Sequence, residues 1–143
     1  MKPETLTRWT SENSADLFGV RNWGSGYFDV SEKGDLMVRP RGRGTDVTIS
    51  MVEILGGLKA RGIGMPVLLR FGDILASRIA AINGSFHKAI AEANYKGTFR
   101  GVFPIKVNQQ QQVVEDIVAY GKPFHHGLEC GSKAELITAL AYS

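Results

Sequence analysis

The chain has 143 residues, 43% hydrophobic and 22% charged, proportions that exclude a collagen-like, disordered or disulfide-stapled protein. Seventeen Lys and Arg against fourteen Asp and Glu leave a formal net charge of +3, too small and too scattered to imply a polyanionic partner. No apolar run approaches the roughly 20 residues of a membrane helix, so neither nucleic acid nor membrane is expected as a partner. Met1 to Thr5 carries one cation with no apolar stretch behind it, unlike a secretory signal, and a cytoplasmic protein is expected. The single cysteine, Cys130, can form neither an internal disulfide nor a thiolate metal cage.

In chain order, Tyr27–Val30 and Asp35–Arg39 are short, partly alternating segments joined by the turn-forming Ser31-Glu32-Lys33-Gly34, which predicts a hairpin closed by Pro40. Arg39 to Asp46, rich in Gly, Pro and Arg, predicts a solvated loop. From Ser50 to Arg61, Met51, Ile54, Leu55 and Leu58 fall at helical spacing, and Gly62 and Gly64 end the helix. Pro66–Phe71 has the apolar run of a buried strand. Asp73–Tyr95 returns to a 3.6 period through Ile74, Leu75, Ile79, Ile82, Phe86 and Ile90, weakened in its middle by Asn83-Gly84. Phe99–Val107 is the next predicted strand, Gln110–Tyr120 a helix, His125–Glu129 a strand and Ser132–Tyr142 a helix, with Ser132 and Glu135 spaced as a capping box.

This alternation predicts an α/β fold with a parallel sheet, preceded by a β-hairpin segment. Only about three strand–helix units follow the hairpin, whereas a closed (β/α)8 barrel needs eight and about 250 residues. A barrel parent would therefore be truncated here. The expected division is an N-terminal β segment and linker over 1–46 and a partial barrel over 47–143. The last helix stops at Tyr142-Ser143 without a cap or a following strand, the pattern expected of a chain cut short.

Gly101-Val102-Phe103-Pro104-Ile105-Lys106-Val107-Asn108 carries the most chemistry. Strand alternation would put Phe103, Ile105 and Val107 on one face and Pro104, Lys106 and Asn108 on the other, with Lys106 in a buried strand near its carboxyl end. A buried ammonium must be solvated, paired or neutralised, and a neutral amine is a nucleophile for an aldehyde. The bland alternative is a strand-end lysine whose head reaches water.

Other clusters are weaker. His125, His126, Glu129 and Cys130 are metal-ligand types, but adjacent strand residues face opposite ways and no metal site is expected. The tract Arg39-Pro40-Arg41-Gly42-Arg43-Gly44 lacks the interleaved aromatics of a nucleic-acid binder and reads as a solvated linker. Trp23 and Tyr27 read as anchors of the hairpin.

Phe103-Pro104-Ile105-Lys106-Val107-Asn108-Gln109-Gln110, followed by Gly127-Leu128-Glu129-Cys130-Gly131-Ser132-Lys133-Ala134-Glu135-Leu136, resembles the start of the biosynthetic arginine decarboxylases. The resemblance extends to Trp23–Val30, Val38-Arg39-Pro40, Leu68–Phe71 and Tyr95-Lys96-Gly97. These enzymes depend on pyridoxal 5'-phosphate and have the alanine racemase type of barrel also found in ornithine decarboxylase. The resemblance implies that Lys106 holds the cofactor as a Schiff base and that Glu129 stands beside it. The other reading of Glu129 is a strand-end acid capping the next helix. Cys130 stands where relatives are expected to have alanine, and packs as a small apolar residue.

Further implications are conversion of L-arginine to agmatine and CO2 on the route to putrescine and spermidine, use of Mg2+, and a homo-oligomeric parent enzyme. No glycine-rich phosphate cradle follows Lys106, so the fragment alone is expected to be inactive. The alternatives are a non-catalytic α/β interaction domain using the basic 39–43 loop, and a decarboxylase of another basic amino acid.

Overall fold

A computed structural model of the chain describes residues 8–142; the Met1 to Thr5 start lies outside them. The chain folds as two compact units, Met1–Arg70 and Phe71–Ser143. Contacts thus divide after Arg70, whereas the composition shifts near residue 46.

The first unit begins with a helix α1, Ser11–Leu17. Thr10 and Asn13 cap it reciprocally: Thr10 Oγ1 accepts the Asn13 N–H at 3.2 Å and Asn13 Oδ1 accepts the Thr10 N–H at 3.0 Å. Gly19, at φ 58°, makes the left-handed turn into the short helix α2, Val20–Trp23. The hairpin follows as β1, Phe28–Val30, and β2, Leu36–Val38, antiparallel with Phe28 opposite Val38 and Val30 opposite Leu36. Its turn is closed by Ser31 N–H to the Asp35 carbonyl and Gly34 N–H to the Ser31 carbonyl, both 2.9 Å, with Gly34 at φ 88°. A third strand unforeseen in the sequence, β3, Ile49–Ser50, pairs antiparallel with β2.

Ser50 then caps α3, Met51–Ala60, its Oγ accepting the Glu53 N–H. The half-buried residues of α3 are Met51, Ile54, Leu55 and Leu58, the stripe predicted from spacing. This stripe packs on β2 and β3.

Pro66–Phe71 is a correction: among the described residues it pairs with no strand, and Leu68 is 73% exposed. An apolar run of that length becomes a strand only when a neighbour takes its backbone hydrogen bonds.

The second unit holds α4, Gly72–Glu92, β4, Val102–Pro104, α5, Gln111–Gly121, β5, Gly127–Glu129, and α6, Lys133–Tyr142. The two strands are parallel, connected through α5, with Val102, Phe103 and Pro104 opposite Gly127, Leu128 and Glu129. The expected parallel α/β arrangement is present as this pair, and the antiparallel sheet belongs to the first unit. Ile79, Val113 and Ile117 form the core, with Leu75, Phe103, Tyr120, Phe124 and Leu128 packed around it.

Asn83-Gly84 does not interrupt α4, which runs unbroken for 21 residues. Its buried line is Leu75, Ile79 and Asn83, while Ile82 and Phe86, expected inside, are 46% and 49% exposed. A polar side chain thus holds a core position, its Nδ2 bonded to the Ile79 carbonyl of its own helix and its Oδ1 without a partner. Among the described residues no helix is long and apolar enough to cross a membrane.

Candidate functional site

The strand predicted over Phe99–Val107 ends early. After Pro104 the backbone tightens into a 3-10 turn, Ile105–Val107, which carries Lys106. Ile105 anchors this turn at 1% exposure, and Asn108 N–H closes it on the Ile105 carbonyl at 3.1 Å. Asn108 Oδ1 then accepts the Gln110 N–H at 3.1 Å, an Asx turn leading into α5.

Lys106 is accordingly exposed, and Val107, expected beside Ile105 on a buried face, is 70% exposed. The buried-lysine expectation is corrected: period-2 alternation stops where the strand stops, and the ammonium is left in water.

Glu129 is the last residue of β5 and the register partner of Pro104, two residues before Lys106. Amine and carboxylate therefore occupy the same carboxyl end of the parallel pair, where ligands of α/β sheets sit. Among the described residues neither forms a hydrogen bond or an ion pair within the chain.

Glu129 does not cap α6. Ser132 Oγ accepts the Glu135 N–H at 3.2 Å, and Glu135 Oε2 accepts the Gly131 N–H at 2.6 Å. The Ser132/Glu135 spacing thus works as a capping box displaced by one residue, because the carboxylate reaches back to Gly131 instead of Ser132. A Cβ placed on Gly131 would lie 3.5 Å from Glu135 Oε2 and 3.9 Å from Glu129 Oε1, so both carboxylates flank this glycine. The turns carrying Lys106 and Glu129 are each held by a side chain bonded to backbone. Asn108 and Glu135 do this work; Asn108 was read only for the face it would share, Glu135 only as a cap.

Cys130 is half-buried. Among the described residues no three His, Cys, Asp or Glu side chains gather as metal ligands. His125 closes a turn in the left-handed region at φ 52°, while His126 packs at the opposite, amino end of the strands against Gly101 and Gly121. Burial lowers the pKa of His126 below its usual value.

The basic 39–43 loop is tied down by its own chain. Arg39 Nη2 pairs with Asp29 Oδ2 at 3.3 Å, and Arg43 lies along Gly26, where a Cβ would be 3.2 Å from Nε.

No protein-family model matches the chain. Over 133 residues it is 49% identical to the biosynthetic arginine decarboxylase of Gloeobacter violaceus, a match covering 93% of the chain and 20% of that protein. It is 46% identical to the biosynthetic arginine decarboxylase of a Nostoc species, over 93% of the chain and 19% of that protein. Among solved structures, the biosynthetic arginine decarboxylase of Campylobacter jejuni superposes with a TM-score of 0.79 at 36% identity, covering 88% of the chain and 21% of that structure. The chain spans about a fifth of the length of the relatives it matches.

Proposed function

From the chain's homology to a stretch of the biosynthetic arginine decarboxylases, we propose that it is part of a pyridoxal-phosphate-dependent enzyme that converts L-arginine to agmatine and CO2. The observation that carries the reading is an exposed primary amine, Lys106, at the carboxyl end of a parallel strand pair, with the Glu129 carboxylate at the end of the neighbouring strand.

This donor set fits the cofactor's chemistry. An aldehyde needs an accessible amine, which Lys106 offers, and a carboxylate nearby favours the protonated form of a nitrogen base. Lys106 would hold the cofactor covalently through Nζ, with Glu129 beside it. When bound, the group supplies an electron sink for the bond to the departing carboxylate. Lys106 Nζ, in its protonated form, would be the acid placed to deliver a proton to the substrate's α carbon once CO2 has left. Ile105 fixes the turn from below, and Asn108 fixes it from the helix side.

The same reading takes the parallel pair as the opening units of a (β/α)8 barrel and the whole enzyme as a cytoplasmic homo-oligomer of the polyamine route. On this reading the 143 residues supply the amine and its neighbour but not the phosphate and guanidinium contacts that turnover needs. The isolated chain therefore does not turn over arginine, and CO2 release at an enzyme-like rate from chain plus cofactor would refute this.

Borohydride reduction after incubation with pyridoxal phosphate, followed by peptide mapping, tests the site. A pyridoxyl group concentrated on Lys106 is expected. Labelling spread evenly over the lysines would favour an interaction module, a reading already weakened because Arg39 and Arg43 of its contact loop are engaged within the chain.

A further inference from the structure

Asn83 is fully buried in the middle of α4. Its Nδ2 donates to the Ile79 carbonyl at 2.8 Å and lies 3.5 Å from His126 Nδ1, while its Oδ1 has no hydrogen-bond partner. The Ile79 bond fixes which way the amide faces, since turning it over would set Oδ1 against a carbonyl oxygen. An N–H is therefore presented to His126 Nδ1. That nitrogen accepts it only in a neutral ring whose proton is on Nε2.

The ring has little room to retreat. A Cβ on Gly101 would stand 2.4 Å from His126 Nδ1 and 2.6 Å from Cε1, and one on Gly121 would stand 2.8 Å from His126 Cβ. Glycine at both positions lets the entry to β4 and the end of α5 close on the imidazole.

We propose that Asn83 and His126 form a proton-sensitive tie between α4 and the entry to β5, closed while the imidazole is neutral and broken when it is protonated. Protonation leaves two unfavourable arrangements: donor against donor as the amide stands, or Oδ1 against the Ile79 carbonyl if the amide turns. The titratable groups next in sequence to the contact are His87, one turn along α4, Arg100 beside Gly101, Tyr120 and Lys122 beside Gly121, and His125. None is a carboxylate; the acids of α4 and α5, Asp73, Glu92, Glu115 and Asp116, stand five or more residues from Asn83 and Gly121 along their helices.

Burial lowers the His126 pKa from 6.5, which agrees in direction. With the folded value below the unfolded one, the unfolded chain binds the proton first. The stabilisation is complete above the unfolded value and is lost as pH falls through the folded one. The inference does not depend on the decarboxylase reading, because the tie lies at the strand end opposite Lys106.

The test follows the ring nitrogens of the three histidines by long-range proton–nitrogen NMR on the 143-residue chain, from about pH 8 to about pH 5. His126 is expected to show a bare Nδ1 at the upper end and to titrate below the usual histidine value. A protonated Nδ1 there, or a midpoint at or above that value, overturns the proposal. In parallel, the urea midpoint of the chain should drop on acidification, with at least about half of that drop gone in His126→Gln and retained in His125→Gln. An undiminished drop in His126→Gln also overturns it. Should that variant not fold, the nitrogen spectra of the unaltered chain decide the matter.

Discussion

The two ends of the β4–β5 pair are built from different chemistry. At the amino end, Gly101 and Gly121 close on the His126 ring and Asn83 meets it from a fully buried position. At the carboxyl end the strands run out into turns that leave Lys106 in solvent and Glu129 half-buried, each turn fastened by one side chain on backbone. Packing density fixes the first end, and local hydrogen bonding fixes the second. Mutations at the two ends should therefore separate stability from the proposed chemistry.

The widest separation is expected from the layer that supports both ends. Ile117 is 2% exposed on the α5 face that it shares with Val113 and that meets Ile79 of α4. Ile117→Ala should destabilise the chain by about 2–5 kcal/mol, read from the urea midpoint, since the lost methyl groups leave a cavity. A cost below about 1 kcal/mol would mean that the α4–α5 packing is looser than the buried areas indicate.

Gly101→Ala comes next and acts on the amino end alone. The added methyl must displace the His126 ring, which the close approach of Gly121 hinders, and overpacking of this kind costs about 1–3 kcal/mol. Pyridoxyl labelling of Lys106 in the surviving folded fraction should be unchanged. Equal loss of stability and labelling would show that the two ends are mechanically coupled.

What could be read from the sequence follows the same division. The hairpin, the α3 stripe of Met51, Ile54, Leu55 and Leu58, the Ser132/Glu135 cap and the parallel α/β pattern were legible because each is set by local spacing. Helix α1 was missed although Thr10 and Asn13 form its capping box, because Asn in place of Glu or Gln hides the usual signature. Pro66–Phe71 was misread because strand pairing depends on a partner elsewhere in the chain. Asn83 was read as a weak point of α4, and its actual role needs His126, 43 residues away. At the candidate site, the resemblance singled out Lys106 and Glu129, but their surroundings were not legible: the 3-10 turn that exposes the lysine breaks the alternation on which burial was inferred.

A smaller effect is expected from the carboxyl-end fastening. Asn108→Ala removes the acceptor for the Gln110 N–H, an exposed bond worth about 0.5–1.5 kcal/mol. Asn108→Asp retains an acceptor and should recover most of that loss. The rate of pyridoxyl labelling at Lys106 should fall in the alanine variant and return in the aspartate one.

The smallest stability change is expected at Lys106, the residue proposed to hold the cofactor. Lys106 is exposed and has no hydrogen bond or ion pair among the described residues, so Lys106→Ala should shift stability by no more than about 0.5 kcal/mol. Labelling should disappear from the 105–110 peptide without rising at Lys122 or Lys133. The same substitution would cost more if the side chain lay across the end of β5 and packed there through its methylene stem. A measured loss above about 1 kcal/mol would therefore move Lys106 from solvent into the packed part of the unit, and with it the accessible amine on which the carboxyl-end chemistry depends.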